Sequence, residues 1–275
     1  MSAPRQITLA RLAELGIVPD TRLGQHFLLD DNLVRVAFRL AELRPDDVVV
    51  EVGPGLGVMT AALADAAAFV HAIELDRRLE PALHATLAGR TNVALRFEDA
   101  VDLDPGSLDP PPTAFVSNLP YNVATPLIIE SLHGMPTVER WAVMIQRELG
   151  DRLYARPGTA AYGAPSVLVQ LACERTGVHR VSRAVFVPPP NVDSLLVGFR
   201  RSTMWAELAP RWQRITQLVH AGFGTRRKTL ANALEIGAFA TRDDAERALG
   251  ALGLDPRVRA EALPPATFVA LEALL

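Results

Sequence analysis

Apolar and polar positions along the chain change period several times, and these changes predict its elements. Val48–Val52 is a β-branched run interrupted by Glu51, and it ends at Gly53-Pro54-Gly55-Leu56-Gly57. A run of this kind bounded by glycines predicts a strand. Val58–Ala68 is Ala-rich and predicts a helix. Phe69–Ile73 is a second predicted strand, ending at Glu74-Leu75-Asp76, and a helix is expected through Leu87. Val93–Phe97 is the third strand, before Glu98-Asp99-Ala100. A Pro-rich loop, Pro105–Pro112, leads to a fourth strand, Thr113–Ser117, and to the turn Asn118-Leu119-Pro120-Tyr121. Strands alternating with helices at this spacing predict an α/β fold with a parallel, doubly wound sheet. Ligands of such sheets bind at the carboxyl ends of the strands.

Further along, Pro126–Leu132 predicts a helix, Ala142–Gln146 a strand and Gln146–Arg156 a helix. Ser166–Cys173 and Leu195–Arg200 are expected to be later strands, on either side of the loop Pro188-Pro189-Pro190. From about Ser202 the strand-like runs stop. Trp212–Ala221, Thr229–Leu234, Arg242–Leu252 and Pro265–Leu275 all have helical character. Two domains are therefore expected: residues 1–201, and a small C-terminal helical domain over residues 202–275.

Composition narrows the class. Apolar residues make up 49% of the 275 and charged residues 21%, which suits a globular chain with a sizeable core and excludes a mainly disordered one. Cys173 is the single cysteine. That excludes an internal disulfide and argues against a cysteine-based metal cluster, so no metal site is expected. The opening residues MSAPRQITLA lack the apolar run of a signal peptide, and no stretch of about 18 apolar residues occurs. A soluble cytoplasmic protein with no membrane partner is expected. The net charge of −3 gives no hint of a nucleic-acid partner, yet residues 200–275 hold 11 basic against 8 acidic residues. Within them lies the densest basic run of the chain, Arg226-Arg227-Lys228.

The candidate chemistry sits at the predicted strand ends. Glycines after the first strand let the backbone turn sharply and approach a ligand closely. Their G-x-G-x-G spacing differs from the dinucleotide G-x-G-x-x-G. Glu74 follows Gly53 by 21 residues, close to the spacing of an acid that accepts hydrogen bonds from ribose hydroxyls. Asp99 ends the third strand, where a carboxylate can accept from an exocyclic amine. Three polar groups (Glu74, Asp99, Asn118) at successive strand ends point to a nucleoside-containing cofactor.

Asn118-Leu119-Pro120-Tyr121 carries the most specific chemistry. An amine attached to an aromatic base is a poor nucleophile, because its lone pair is delocalised into the ring. The Asn118 side-chain oxygen and the Leu119 carbonyl can accept its two hydrogens and hold the nitrogen toward an electrophile. Pro120 stiffens the turn, and Tyr121 offers a flat face on which a base can stack.

With the glycine loop and Leu23-Gly24-Gln25-His26-Phe27-Leu28, this turn resembles the ribosomal RNA adenine N6-dimethyltransferases that act on the small subunit. The resemblance runs from about Arg22 to Ala262. It includes Ala161-Tyr162-Gly163, Phe186 ahead of the triple proline, Val192-Asp193-Ser194, Phe223 with Arg226-Arg227-Lys228-Thr229, and Leu254-Asp255-Pro256 with Arg259-Ala260-Glu261. It implies a Rossmann-like methyltransferase sheet and S-adenosyl-L-methionine as cofactor. It also implies dimethylation at N6 of two adjacent adenosines near the 3′ end of small-subunit rRNA, within an immature ribosomal particle. By position, His26, Leu28 and Gly53 would border the methionine end, Glu74 the ribose, Asp99 the cofactor's adenine amine and Asn118 the target amine. His26 stands where many relatives carry Asn.

Phe186 resembles the second aromatic that sandwiches the flipped adenine with Tyr121. Arg226, Arg227 and Lys228 would contact RNA, and a monomer is expected. Two rival readings are a resistance methyltransferase of the Erm type acting on large-subunit rRNA, and a ribosome-assembly factor that no longer methylates. The Leu254-Asp255-Pro256 and Arg259-Ala260-Glu261 stretches favour the small-subunit enzyme, and the intact turn favours an active one. A nicotinamide oxidoreductase would need a hydride-transfer site that the chain lacks.

Overall fold

A computed structural model describes residues 3–225 and 227–275; Arg226, the first of the expected RNA contacts, lies outside them. Two compact units are present. The first comprises Met1–Gly150 with Arg175–Arg201, the second Asp151–Glu174 with Ser202–Leu275. This division differs from the expected one at 201, since residues 151–174 group with the C-terminal helices.

Nine strands occur in chain order among the described residues: β1 (Phe27–Leu28), β2 (Val48–Val52), β3 (Phe69–Glu74), β4 (Val93–Phe97), β5 (Ala114–Asn118), β6 (Arg140–Gln146), β7 (Cys173–Val181), β8 (Phe186–Val187) and β9 (Ser194–Arg201). Seven form one sheet in the order β4-β3-β2-β5-β6-β9-β7, and β1 pairs with β8 in a separate antiparallel ribbon. Strands β4, β3, β2, β5 and β6 are parallel, as the alternation with helices requires. The expected parallel sheet is nonetheless mixed, because β9 enters antiparallel to β6, with Gln146 opposite Ser194.

Helices α1 (Ala3–Glu14), α2 (Asp31–Leu40), α3 (Val58–Ala66), α4 (Glu80–Thr86) and α5 (Ala124–Gly134) belong to the first unit, and α6 (Arg147–Leu153) spans its junction with the second. Strand β2 is buried along its whole length, so its sequence carries no polar face. Val49, Val70, Ala114, Val116 and Ala142 pack from neighbouring strands against Val34 and Ala37 of α2 and Leu63 of α3.

The second unit holds α7 (Ala164–Ala172), α8 (Trp205–Leu208), α9 (Trp212–Phe223), α10 (Leu230–Ile236), α11 (Arg242–Ala251) and α12 (Pro265–Glu272). Ser166–Cys173, expected as a strand, is α7 up to Ala172, and Cys173 opens β7. Val167, Leu168, Val169, Leu171 and Ala172 are all buried, so a helix apolar on every side has no 3.6-residue period to read. Hydrogen bonds within the unit tie its segments together: Tyr162 Oη donates to the Leu263 carbonyl at 2.8 Å, and the Gly158 amide to the Glu261 carbonyl at 2.7 Å.

Candidate functional site

The carboxyl ends of β2, β3, β4 and β5 open into one cleft. Gly53, Glu74, Asp99 and Asn118 line it together with His26 and Gln25. The three polar groups expected at successive strand ends are thus brought to one wall. Leu75, Glu98, Asn122 and Val123 also line it; the first three adjoin a predicted site residue or motif in sequence, but no motif singled any of them out.

The glycine loop is shaped by close approach. Gly53 and Gly55 have φ of 72° and 60°, conformations that cost side-chain-bearing residues energy. A Cβ on Gly55 would lie 3.1 Å from the Phe27 ring, and one on Gly53 3.4 Å from Pro120. The loop therefore sits against both the N-terminal segment and the Asn118 turn.

Glu74 is buried, and both of its oxygens already accept backbone hydrogen bonds, Oε1 from Asp76 at 2.9 Å and Oε2 from Gly55 at 3.1 Å. Burial is the main influence raising its pKa above the usual carboxylate range. The Asp76 charge acts in the same direction, and the backbone donors oppose it. Asp76 is held in turn by Arg78 at 2.7 Å and by Gln25 Nε2 at 2.7 Å. Arg78 is the main cause of the lowered Asp76 pKa. Asp99 is exposed, and its Oδ1 accepts from the Val101 amide at 2.9 Å.

At Asn118 the amide nitrogen donates to the His26 carbonyl at 3.1 Å. That bond fixes which end of the amide is which, and leaves Oδ1 as an acceptor. The His26 ring lies 5.3 Å from the Tyr121 ring at an interplanar angle of 29°. Its Nδ1 is 2.7 Å from the Pro188 carbonyl. A carbonyl only accepts, so Nδ1 carries hydrogen and the neutral ring keeps Nε2 as an acceptor. Leu119 is buried and its amide donates to Met144 of β6. Tyr121 Oη shares a hydrogen bond of 2.6 Å with Ser194 Oγ, and burial raises the phenol pKa further above neutrality.

A second recess continues past Gly53, lined by His26, Leu28, Glu51, Met59 and Asn118. A third, on the far side of His26, is lined by Tyr121, Asn122, Gln146, Pro189 and Pro190. Phe186 is where expectation and structure part. It is 0% exposed, belongs to the hydrophobic core and pairs with Leu28 across the β1–β8 ribbon, so no ring face is presented to a base. Strand pairing places Phe186 inward, and the wall beside Tyr121 is made instead by the prolines that follow.

In the second unit Arg227 and Lys228 are exposed in the turn between α9 and α10. The Lys228 amide closes that turn on the Thr225 carbonyl at 3.0 Å.

Comparison with known proteins places this site in context. The family model described as ribosomal RNA adenine dimethylase matches residues 19–274. The ribosomal RNA small subunit methyltransferase A of Rubrobacter xylanophilus is 44% identical over 253 residues, covering 92% of this chain and 94% of the relative. Its counterpart in Streptomyces avermitilis is 45% identical over 263 residues, covering 93% and 88%. Among solved structures, a dimethyladenosine transferase from Plasmodium falciparum superposes with a TM-score of 0.75 at 23% identity over 90% of this chain and 96% of its own. The 23S rRNA methyltransferase ErmE superposes with a TM-score of 0.64 at 28% identity, over 90% and 99%. With nearly its full length matched by that model, the chain belongs to the ribosomal RNA adenine dimethylase family.

Proposed function

We propose that this protein transfers methyl groups from S-adenosyl-L-methionine to N6 of two adjacent adenosines near the 3′ end of small-subunit rRNA, acting on an immature ribosomal particle as a cytoplasmic monomer. The observation that carries the reading is the free Asn118 Oδ1, oriented by the His26 carbonyl on the same wall as Glu74 and Asp99. Relatives at 44–45% identity are small-subunit enzymes, which favours that substrate over the large-subunit target of the more distant ErmE.

The residues fit the cofactor. Gly53 offers backbone without a Cβ, Glu74 can accept from ribose hydroxyls, and Asp99 keeps an oxygen free for an adenine amine. When bound, S-adenosyl-L-methionine supplies an electrophilic methyl group. This chain's part is positioning: Asn118 Oδ1 and the Leu119 carbonyl hold the target amine, and Tyr121 supplies a stacking face next to the Pro189–Pro190 wall. The phenol stays neutral and does not act as a base. None is needed, because the amine is acidified by the methyl it gains and loses its proton afterwards. Alignment and preorganised acceptors are the sources of rate.

Radiolabelled methyl transfer to immature small subunits, followed by mapping of the modified nucleotides, tests the whole reading. Methylation confined to large-subunit rRNA, or none at all, would overturn it. Glu74→Ala is expected to weaken cofactor binding by about 1–3 kcal/mol, the usual cost of leaving buried groups without a charged partner; calorimetry showing unchanged affinity removes the ribose role. We place the RNA-contacting surface in the second unit. Changing Arg226, Arg227 and Lys228 to Glu should weaken particle binding and flatten its salt dependence while cofactor affinity holds. Particle binding indifferent to those changes would return the run to an ordinary solvated turn.

A further inference from the structure

Glu51 has no part in the scheme above. It stands one residue before the end of β2, is 1% exposed, and its carboxyl lines the recess past Gly53. Its Oε2 has no hydrogen-bond partner among the described residues. A buried carboxylate left in this way is strongly unfavourable, and the group responds by holding its proton. Burial pushes its pKa up to about 8, with the Glu74 charge acting in the same direction and Thr60 against it. No Arg or Lys lines the recess. The titratable groups near Glu51 are Glu74, at the end of β3, and His26, on the N-terminal segment; β5 contributes the neutral amide of Asn118.

The direction of the recess gives the group a use. With Glu74 and Asp99 fixing a nucleoside in the main cleft, the amino-acid arm of the same ligand has to run past Gly53 toward Glu51. We infer that Glu51 is a proton-exchanging anchor for the α-ammonium of that arm, neutral in the unliganded protein and ionised in the complex. Its O–H bond breaks, the proton leaves to solvent, and an ammonium–carboxylate pair forms where the recess held only a neutral acid. Nothing is oxidised or reduced. Holding the group neutral until a cation arrives spares the fold a permanent buried charge, and the pair is then formed away from water, where it is strong. This inference rests on the cofactor reading above.

Calorimetric titration at about pH 6.5 in two buffers of different ionisation enthalpy tests it, using S-adenosylmethionine and S-adenosylhomocysteine separately. Both carry the α-ammonium; only the first carries a sulfonium. About one proton should be released with each ligand, and affinity should rise with pH, by up to about tenfold per unit, levelling above the Glu51 pKa. Glu51→Gln should release no proton from this site and bind about tenfold more weakly, without that pH dependence.

Release that persists in Glu51→Gln would assign the proton to Glu74 or His26 and overturn the inference. Release with S-adenosylmethionine alone would put the sulfonium, not the ammonium, against Glu51 and overturn it too. Tight binding by the wild type without release would do the same, a result that needs no variant to fold. Absence of binding by either ligand would instead refute the cofactor reading. An independent readout is the unliganded stability. The raised pKa means stability is fully present below the ordinary carboxylate range and lost as pH rises through about 8. Glu51→Gln should lack that loss in a melting-temperature profile.

Discussion

Asn118→Ala should lower single-turnover methyl transfer on immature small subunits by about 10²–10³, the usual loss when one preorganised acceptor is removed. The fold and particle docking should change little, because the variant adds neither charge nor bulk. Asn118→Asp is the more instructive substitution. It keeps an acceptor of the same shape toward the amine, but it puts a second oxygen where Nδ2 now donates to the His26 carbonyl at 3.1 Å. Two acceptors would then face each other, and the side chain would have to turn or take up a proton. Partial activity, above that of Ala and rising as pH falls, is the expected outcome for Asp. Near-normal transfer by the Ala variant would reduce the turn to a structural feature.

The second large effect lies at the opposite edge of the sheet. Asp47 is 2% and Arg140 5% exposed, and their side chains pair directly. Asp47 Oδ1 also accepts from the Thr113 hydroxyl at 2.7 Å, Oδ2 from the Arg44 amide at 2.7 Å, and its carbonyl from the Ala68 amide at 2.9 Å. One side chain thereby joins the starts of β2, β5 and β6. Asp47→Ala would leave a buried guanidinium without its charge partner, since the other carboxylate near it, that of Glu139, is 3.5 Å away and 66% exposed. Removing half of such a pair costs about 3–5 kcal/mol, to be read from urea unfolding. Asp47→Ala combined with Arg140→Met should recover much of that loss, because an apolar isostere no longer needs a partner. A loss under about 1 kcal/mol in the single variant would mean that water reaches Arg140 in the folded protein.

How far the chain could be read depended on whether a signal was local. The Val48–Val52 run, the glycine loop and the order Glu74, Asp99, Asn118 were legible because a parallel sheet puts successive strand ends on one edge. That rule needs sequence order and nothing else. The reversal of β9 was invisible, because an apolar run such as Leu195–Val197 has no direction. Helix α7 was misread for want of a polar face, although Pro165 and the Gly163 amide donating to Ser166 Oγ at 3.1 Å mark a helix start. Phe186 has the right neighbours in sequence, yet its orientation follows from pairing with Leu28, a contact no spacing rule contains. Glu51 was in view only as the polar residue interrupting the Val48–Val52 run, and an unpartnered oxygen is a property of surroundings.

The N-terminal segment reaches the rest of the site across long stretches of chain: His26 bonds to Asn118 over 92 positions and to Pro188 over 162. A polypeptide emerges from the ribosome amino end first, so these two links become possible at different times. Once Asn118 is out, the strand ends that line the cleft all exist, but the β1–β8 ribbon and the Pro188 carbonyl that pin His26 do not. At roughly 5–20 residues per second, several seconds of elongation separate the two stages. Competence to methylate ribosomal RNA is in this sense acquired late in the protein's own translation, when β8 emerges to pin the His26 segment.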